Sequence, residues 1–212
     1  MPQNFDSACR QCERLAGFLD QVKTQYPTYY AKPVPAFGVE TPKLLIVGLA
    51  PGLHGANRSG RPFTGDHAGI LLYETLHRYG FASAAQSVAS DDALQLIDCR
   101  ITNAVKCLPP ENKPTGEEIN RCNQFLAAEL AALPASTVIL ALGSVAHKAI
   151  LKALHLKAAD YAFAHAARHA LSNGQVLYDS YHCSRYNTQT KRLTTAMFHA
   201  LFAAIQHELK EI

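Results

Sequence analysis

No apolar run among the 212 residues is long enough to cross a bilayer. The opening stretch Met1-Pro2-Gln3-Asn4-Phe5-Asp6 has neither the basic nor the apolar segment of a secretory leader. A cytoplasmic protein with no membrane partner is therefore expected. Charge is sparse, at 17% of residues with a net charge of +3. That balance admits a polyanionic partner without demanding one. Internal repeats, low-complexity stretches and signs of a second domain are lacking, so residues 1–212 read as a single domain. A hydrophobic fraction of 48% is enough for a real core.

Two signatures of nucleotide enzymes are missing as well. The glycine-rich stretch Gly48–Asp66 offers Gly60-Arg61-Pro62 where a phosphate-binding loop needs Gly-Lys-Ser/Thr, and its glycine spacing is not that of a dinucleotide fold. No lysine-nucleophile motif is found, which argues against a lyase step. A disulfide framework is not expected in a cytosolic chain of this size, so the six cysteines need another account.

What is present is an alternation of apolar strands and amphipathic helices. Helical periodicity runs over 9–25, with Leu15, Phe18, Leu19 and Val22 on one face. Strands are predicted at 43–49, 96–105, 137–142 and 176–180. Helices are predicted at 71–79, after Thr115 with Glu118 at capping-box spacing, after Ser144, and over 192–210. Residues 155–174 read neither way. Near-continuous apolar strands between helices indicate a layered α/β fold around a mainly parallel sheet. Sites in such sheets form at the carboxyl ends of strands, which puts residues 50–69, 103–115, 143–144 and 182–191 on one rim.

Those segments carry reactive types. Asp66 is the only carboxylate of the glycine-rich loop, and its plainer role is to cap a turn after Gly65. His182 follows a strand and is placed to stabilise developing negative charge; Asn187, Lys191 and Arg192 after it suit phosphate contacts. Cys9-x2-Cys12, with Cys107 and Cys122 far along the chain, can make a four-thiolate site for zinc or for an iron–sulfur cluster, and spacing does not choose. Cys99, inside a strand, reads as a buried thiol.

Taken in order, these pieces resemble the iron–sulfur uracil-DNA glycosylases, most closely family 5 (type B). The resemblance runs through Cys9-x2-Cys12, Gly48-Leu49-Ala50-Pro51-Gly52, His54-Gly55-Ala56-Asn57-Arg58, Phe63-Thr64-Gly65-Asp66 and Thr102-Asn103-Ala104-Val105-Lys106-Cys107. It continues with Pro109-Pro110, Cys122, His182-Cys183-Ser184, Asn187 and Arg192-Leu193-Thr194. The sister family 4 carries Glu where this chain has Leu49. One departure is Cys183, where the family commonly has proline; it raises the prospect of a reactive thiol.

The resemblance implies a three-layer αβα fold with a central four-stranded sheet. It implies a 4Fe-4S cluster on Cys9, Cys12, Cys107 and Cys122, and excision of uracil or other altered bases from DNA. In that scheme a flipped base stacks on Phe63 and is read at its edge by Asn103, with backbone groups near Gly52 completing the pocket. His182 donates to the leaving base, and Asp66 orients water or offsets charge on the sugar. His54, Asn57, Arg58, Arg185, Asn187, Lys191 and Arg192 are the candidate DNA contacts, with Arg185 or Tyr186 as the wedge. A monomer is expected. The competing readings are a non-catalytic DNA-binding or redox-sensing cluster protein, and a zinc-stapled hydrolase.

Overall fold

The computed structural model describes residues 5–211; Met1–Asn4, part of the stretch read for a leader, lie outside the described residues. The four apolar runs become four parallel strands: β2 (Leu44–Gly48), β3 (Cys99–Asn103), β4 (Val138–Leu142) and β6 (Val176–Ser180). Every residue of β2, β4 and β6 is buried, as expected of strands covered by helices on both faces. Two further strands correct the expected four-stranded sheet to six. β1 (Phe37–Gly38) and β5 (Arg168–Ala170) pair antiparallel at the two edges, giving the order β1-β3-β2-β4-β6-β5. They are two and three residues long and largely unburied, so no apolar run marks them. Backbone pairing alone places them.

Helices α1 (Glu13–Gln25), α2 (Ala56–Ser59), α3 (His67–Arg78), α4 (Gly116–Ala131), α5 (Ser144–Ala153), α6 (Arg185–Gln189) and α7 (Thr195–Glu211) surround the sheet. Strand side chains alternate between faces. Leu44, Ile46 and Leu140 meet Leu72 and Leu76 of α3 and Phe198 and Phe202 of α7. Leu45, Val47, Ile139 and Leu177 meet Leu126 and Leu130 of α4 and Ile150 and Leu151 of α5. Each fully buried side chain of this kind contributes roughly 1.5–3 kcal/mol.

Helix ends differ from the periodicity where caps decide them. α1 begins at Glu13, with Cys12 at its cap, so Cys9 lies in the preceding turn. α3 begins four residues early because Asp66 Oδ1 accepts the Gly69 N–H at 2.8 Å. The predicted capping box is present: Thr115 Oγ1 accepts the Glu118 N–H, and Glu118 accepts the Thr115 N–H. Glu118 also receives a two-pronged contact from Arg14, at 2.8 and 2.7 Å, which ties α1 to α4. No helix among the described residues is long and apolar enough to cross a membrane.

Candidate active site

The carboxyl ends of β2, β3 and β6 open onto a cleft of about 430 Å³. Phe63, Asp66, Asn103, His182 and Gly52, drawn from three separate rim segments, all line it. Asn103 ends β3, is 3% exposed, and its Oδ1 has no hydrogen-bond partner among the described residues. A buried acceptor left unpaired costs about 1–3 kcal/mol, so this atom is poised for a donor from a ligand. Gly48 stands opposite in the sheet register. A Cβ there would lie 2.7 Å from Phe63 Cζ and closer still to Asn103 Oδ1, so only glycine leaves both side chains in place.

Phe63 adopts φ 54°, a left-handed conformation that is strained for an aromatic residue. The turn is held by the Tyr73 hydroxyl, which donates to Pro62 O at 2.8 Å. The Phe63 ring lies 6.0 Å from the His182 ring, with 29° between the planes. The segment carrying His182 is held from below, because Asn187 Nδ2 donates to His182 O at 2.8 Å. Burial pushes the His182 imidazole down to about 4, so it is neutral at pH 7 and available as an uncharged donor. Asp66 does cap α3 through Oδ1. A Cβ on Gly55 would come within 2.6 Å of its Oδ2, so that loop passes the carboxylate with no room for a side chain. Burial raises the Asp66 carboxyl above its ordinary range, partly opposed by the Gly69 N–H.

Cys183 is not a reactive thiol. It is fully buried in the core, and desolvation, aided by the nearby Asp66 charge, pushes it up to about 12. Cys99 is buried as expected.

The candidate DNA contacts divide. His54, Arg58, Arg185, Lys191 and Arg192 are exposed. His54 is oriented by the Tyr29 hydroxyl at 2.9 Å, and the Arg192 guanidinium lies 4.6 Å over the Tyr181 ring. Arg185 lines the cleft, and Tyr186 beside it is 70% exposed. Asn57 is instead fully buried with both amide atoms unpaired among the described residues, so its side chain does not reach the surface. Its backbone links the loop, donating to Gly52 O and accepting from Ala31 N–H. Asn187 is likewise turned inward, onto His182.

On the far side of the β3 loop, Cys9, Cys12, Cys107 and Cys122 surround one apolar pocket with Leu15, Val105 and Phe125. The Lys106 N–H donates to Cys122 Sγ at 3.3 Å. Burial raises the thiols of Cys12, Cys107 and Cys122, the last to about 11, and neighbouring thiolates in the group raise them further. No three of the four sulfurs lie within 4.8 Å of one another.

Residues 35–206 match the family model of the Uracil DNA glycosylase superfamily. The chain belongs to that superfamily. Its relatives include proteins named type-5 uracil-DNA glycosylase. That of Thermus thermophilus is 45% identical over 91% of this chain and 90% of its own. That of Mycobacterium leprae is 40% identical, over 92% and 89%. That of Pyrobaculum aerophilum is 39% identical, over 88% and 82%.

Three cleft residues of this superfamily member carry no signal in the motifs: His67, Ala68 and Asn112. His67 Nε2 meets Thr188 Oγ1 at 3.1 Å and so joins the start of α3 to α6, a contact across 121 positions that no local pattern announces. Asn112, beside Glu111, is one of two consecutive non-glycine residues at positive φ. Asparagine after Pro109-Pro110 was a usable signal for such a turn.

Proposed function

We propose that this chain is a monofunctional uracil-DNA glycosylase, acting as a single-domain cytoplasmic monomer that hydrolyses the bond between an extruded base and its sugar. The observation that carries the reading is the unpaired, buried Oδ1 of Asn103 in a cleft shared with Phe63 and His182. A uracil edge offers a donor to Oδ1 and an acceptor to the amide N–H2 of the same side chain. Phe63 supplies the stacking face. As the glycosidic bond breaks, electrons move onto the base, and the neutral His182 donates a hydrogen bond to the base oxygen where charge grows. Asp66 faces the sugar side, where it orients water or offsets positive charge. Water adds hydroxyl to the sugar carbon, and its proton ends on the released base. Arg185, Lys191, Arg192, Arg58 and His54 hold the phosphates. Asn57 and Asn187 support the loops instead.

Cys9, Cys12, Cys107 and Cys122 are proposed to hold a 4Fe-4S cluster. All four share one apolar pocket, which suits a buried group held by thiolates. Such a cluster would staple the turn before α1 to the β3 loop and to α4.

Incubation with a uracil-containing oligonucleotide, followed by alkali, tests the activity. The wild-type protein should give strand breaks. His182→Ala should bind the DNA comparably but cleave about 100-fold more slowly, as expected for losing one donor to a developing anion. No break with wild-type protein of full iron and sulfide content would leave only a DNA-binding role, and undiminished cleavage by His182→Ala would remove that histidine from the mechanism.

A further inference from the structure

We propose that His147, His169 and Asp179 form a binding site for a divalent transition-metal ion of the zinc class, separate from both the cleft and the cysteine pocket. The three residues come from different elements: α5, β5 and the end of β6. Their ligand atoms all lie within 4.8 Å of one another. Asp179 is fully buried, and His147 and His169 have side chains only 2% and 14% exposed.

The hydrogen bonds of His147 fix which ring nitrogen is turned towards Asp179. Its Nε2 lies 3.0 Å from the backbone carbonyl of Tyr161, which only accepts, so Nε2 carries the hydrogen. In a neutral ring the Nδ1 lone pair then points at Asp179 Oδ1, 2.7 Å away. Two acceptors cannot face each other at that separation, so a proton bridges them in the empty site; an ion with bonds of about 2.0–2.1 Å would replace that proton and move the two atoms to roughly 3.3 Å apart. His169 Nε2 converges on the other oxygen of the same carboxylate, at 3.1 Å. With the site empty, protons on His147 and His169 hold the carboxylate from both sides; an ion would displace them and take one ligand atom from each of the three groups. Donation of the remote ring N–H to a backbone carbonyl is also the habit of metal-bound histidine. Two imidazoles and a carboxylate make the borderline donor set that zinc takes in sites with three protein ligands, leaving a fourth position for water.

The site would clamp the 155–174 excursion, which carries β5 and Tyr161, onto the end of the strand that leads to His182. Its ion would be structural, and the proposal stands whether or not the cleft cleaves uracil.

The test compares wild-type protein with His169→Ala and His147→Gln. Each is equilibrated with excess Zn²⁺, desalted and assayed for zinc and iron. His169 sits on a short edge strand, so its alanine variant is the one expected to fold without difficulty. At equal iron, wild-type protein should hold roughly one zinc per chain more than either variant, and added Zn²⁺ should raise the thermal midpoint of the wild type alone. The comparison uses the difference between proteins, so zinc taken up by the cysteines cancels. Equal zinc in wild type and His169→Ala, with no difference in midpoint, would overturn the proposal and leave a proton between His147 and Asp179.

Discussion

Asp66 has two separable jobs, because its two oxygens face different partners. Oδ1 caps α3 at Gly69, and Oδ2 remains for the cleft. Asparagine caps helices about as well as aspartate, whereas alanine forfeits about 1 kcal/mol. Asp66→Asn should therefore keep the thermal stability of the wild type while slowing base excision, and Asp66→Ala should lose both. Excision at the wild-type rate by Asp66→Asn, measured in single turnover, would assign the residue to capping alone. The same two-sidedness explains why the sequence left Asp66 open between turn and chemistry: a carboxylate after Gly65 is equally suited to either, and the number of its free oxygens depends on which backbone N–H comes within reach. Asn57 shows the opposite limit. Its polar type and its neighbour Arg58 mark a surface contact in the sequence, but backbone hydrogen bonds to Gly52 and Ala31 turn the side chain inward.

At the scale of elements, the clearest local signal is the Thr115–Glu118 capping box, found where the spacing placed it. Its second partner was not legible. Arg14 is 104 positions from Glu118, yet their paired contact joins α1 to the same turn. Thr115→Ala should lower unfolding stability by about 1 kcal/mol, read from chemical denaturation, with no change in DNA cleavage. A loss much larger than that would mean that the cap also holds Arg14 and the cysteine turn in place. The edge strands make the complementary point. β1 and β5 carry too few residues to display a period of two, and their existence follows from the free edges of β3 and β6.

For the whole molecule, burial of one titratable group sets a pH dependence. The His182 imidazole is lowered from 6.5 to about 4 by desolvation. Between those values the unfolded chain binds a proton that the folded chain does not, so stability falls as pH drops from about 6.5 towards 4 and is fully retained above 6.5. His182→Gln removes that proton uptake, so its thermal midpoint should decline less steeply across this window than that of the wild type. Identical acid limbs would show that the imidazole is more hydrated than its surroundings imply.

The four central strands, the order of the rim segments and the family are legible in the chain alone, because apolar runs, caps and glycine-bearing loops are written in neighbouring residues. The sequence also carried most of the cleft: Phe63, Asn103 and His182 sit at strand ends, and a parallel sheet gathers those ends on one side. Three features emerge from folding and not from local pattern: which polar atoms are left without partners, the burial of Cys183 beyond reaction, and the convergence of His147, His169 and Asp179. Each of these depends on distances between segments far apart in the chain, where packing and desolvation act on groups that no local pattern can pair.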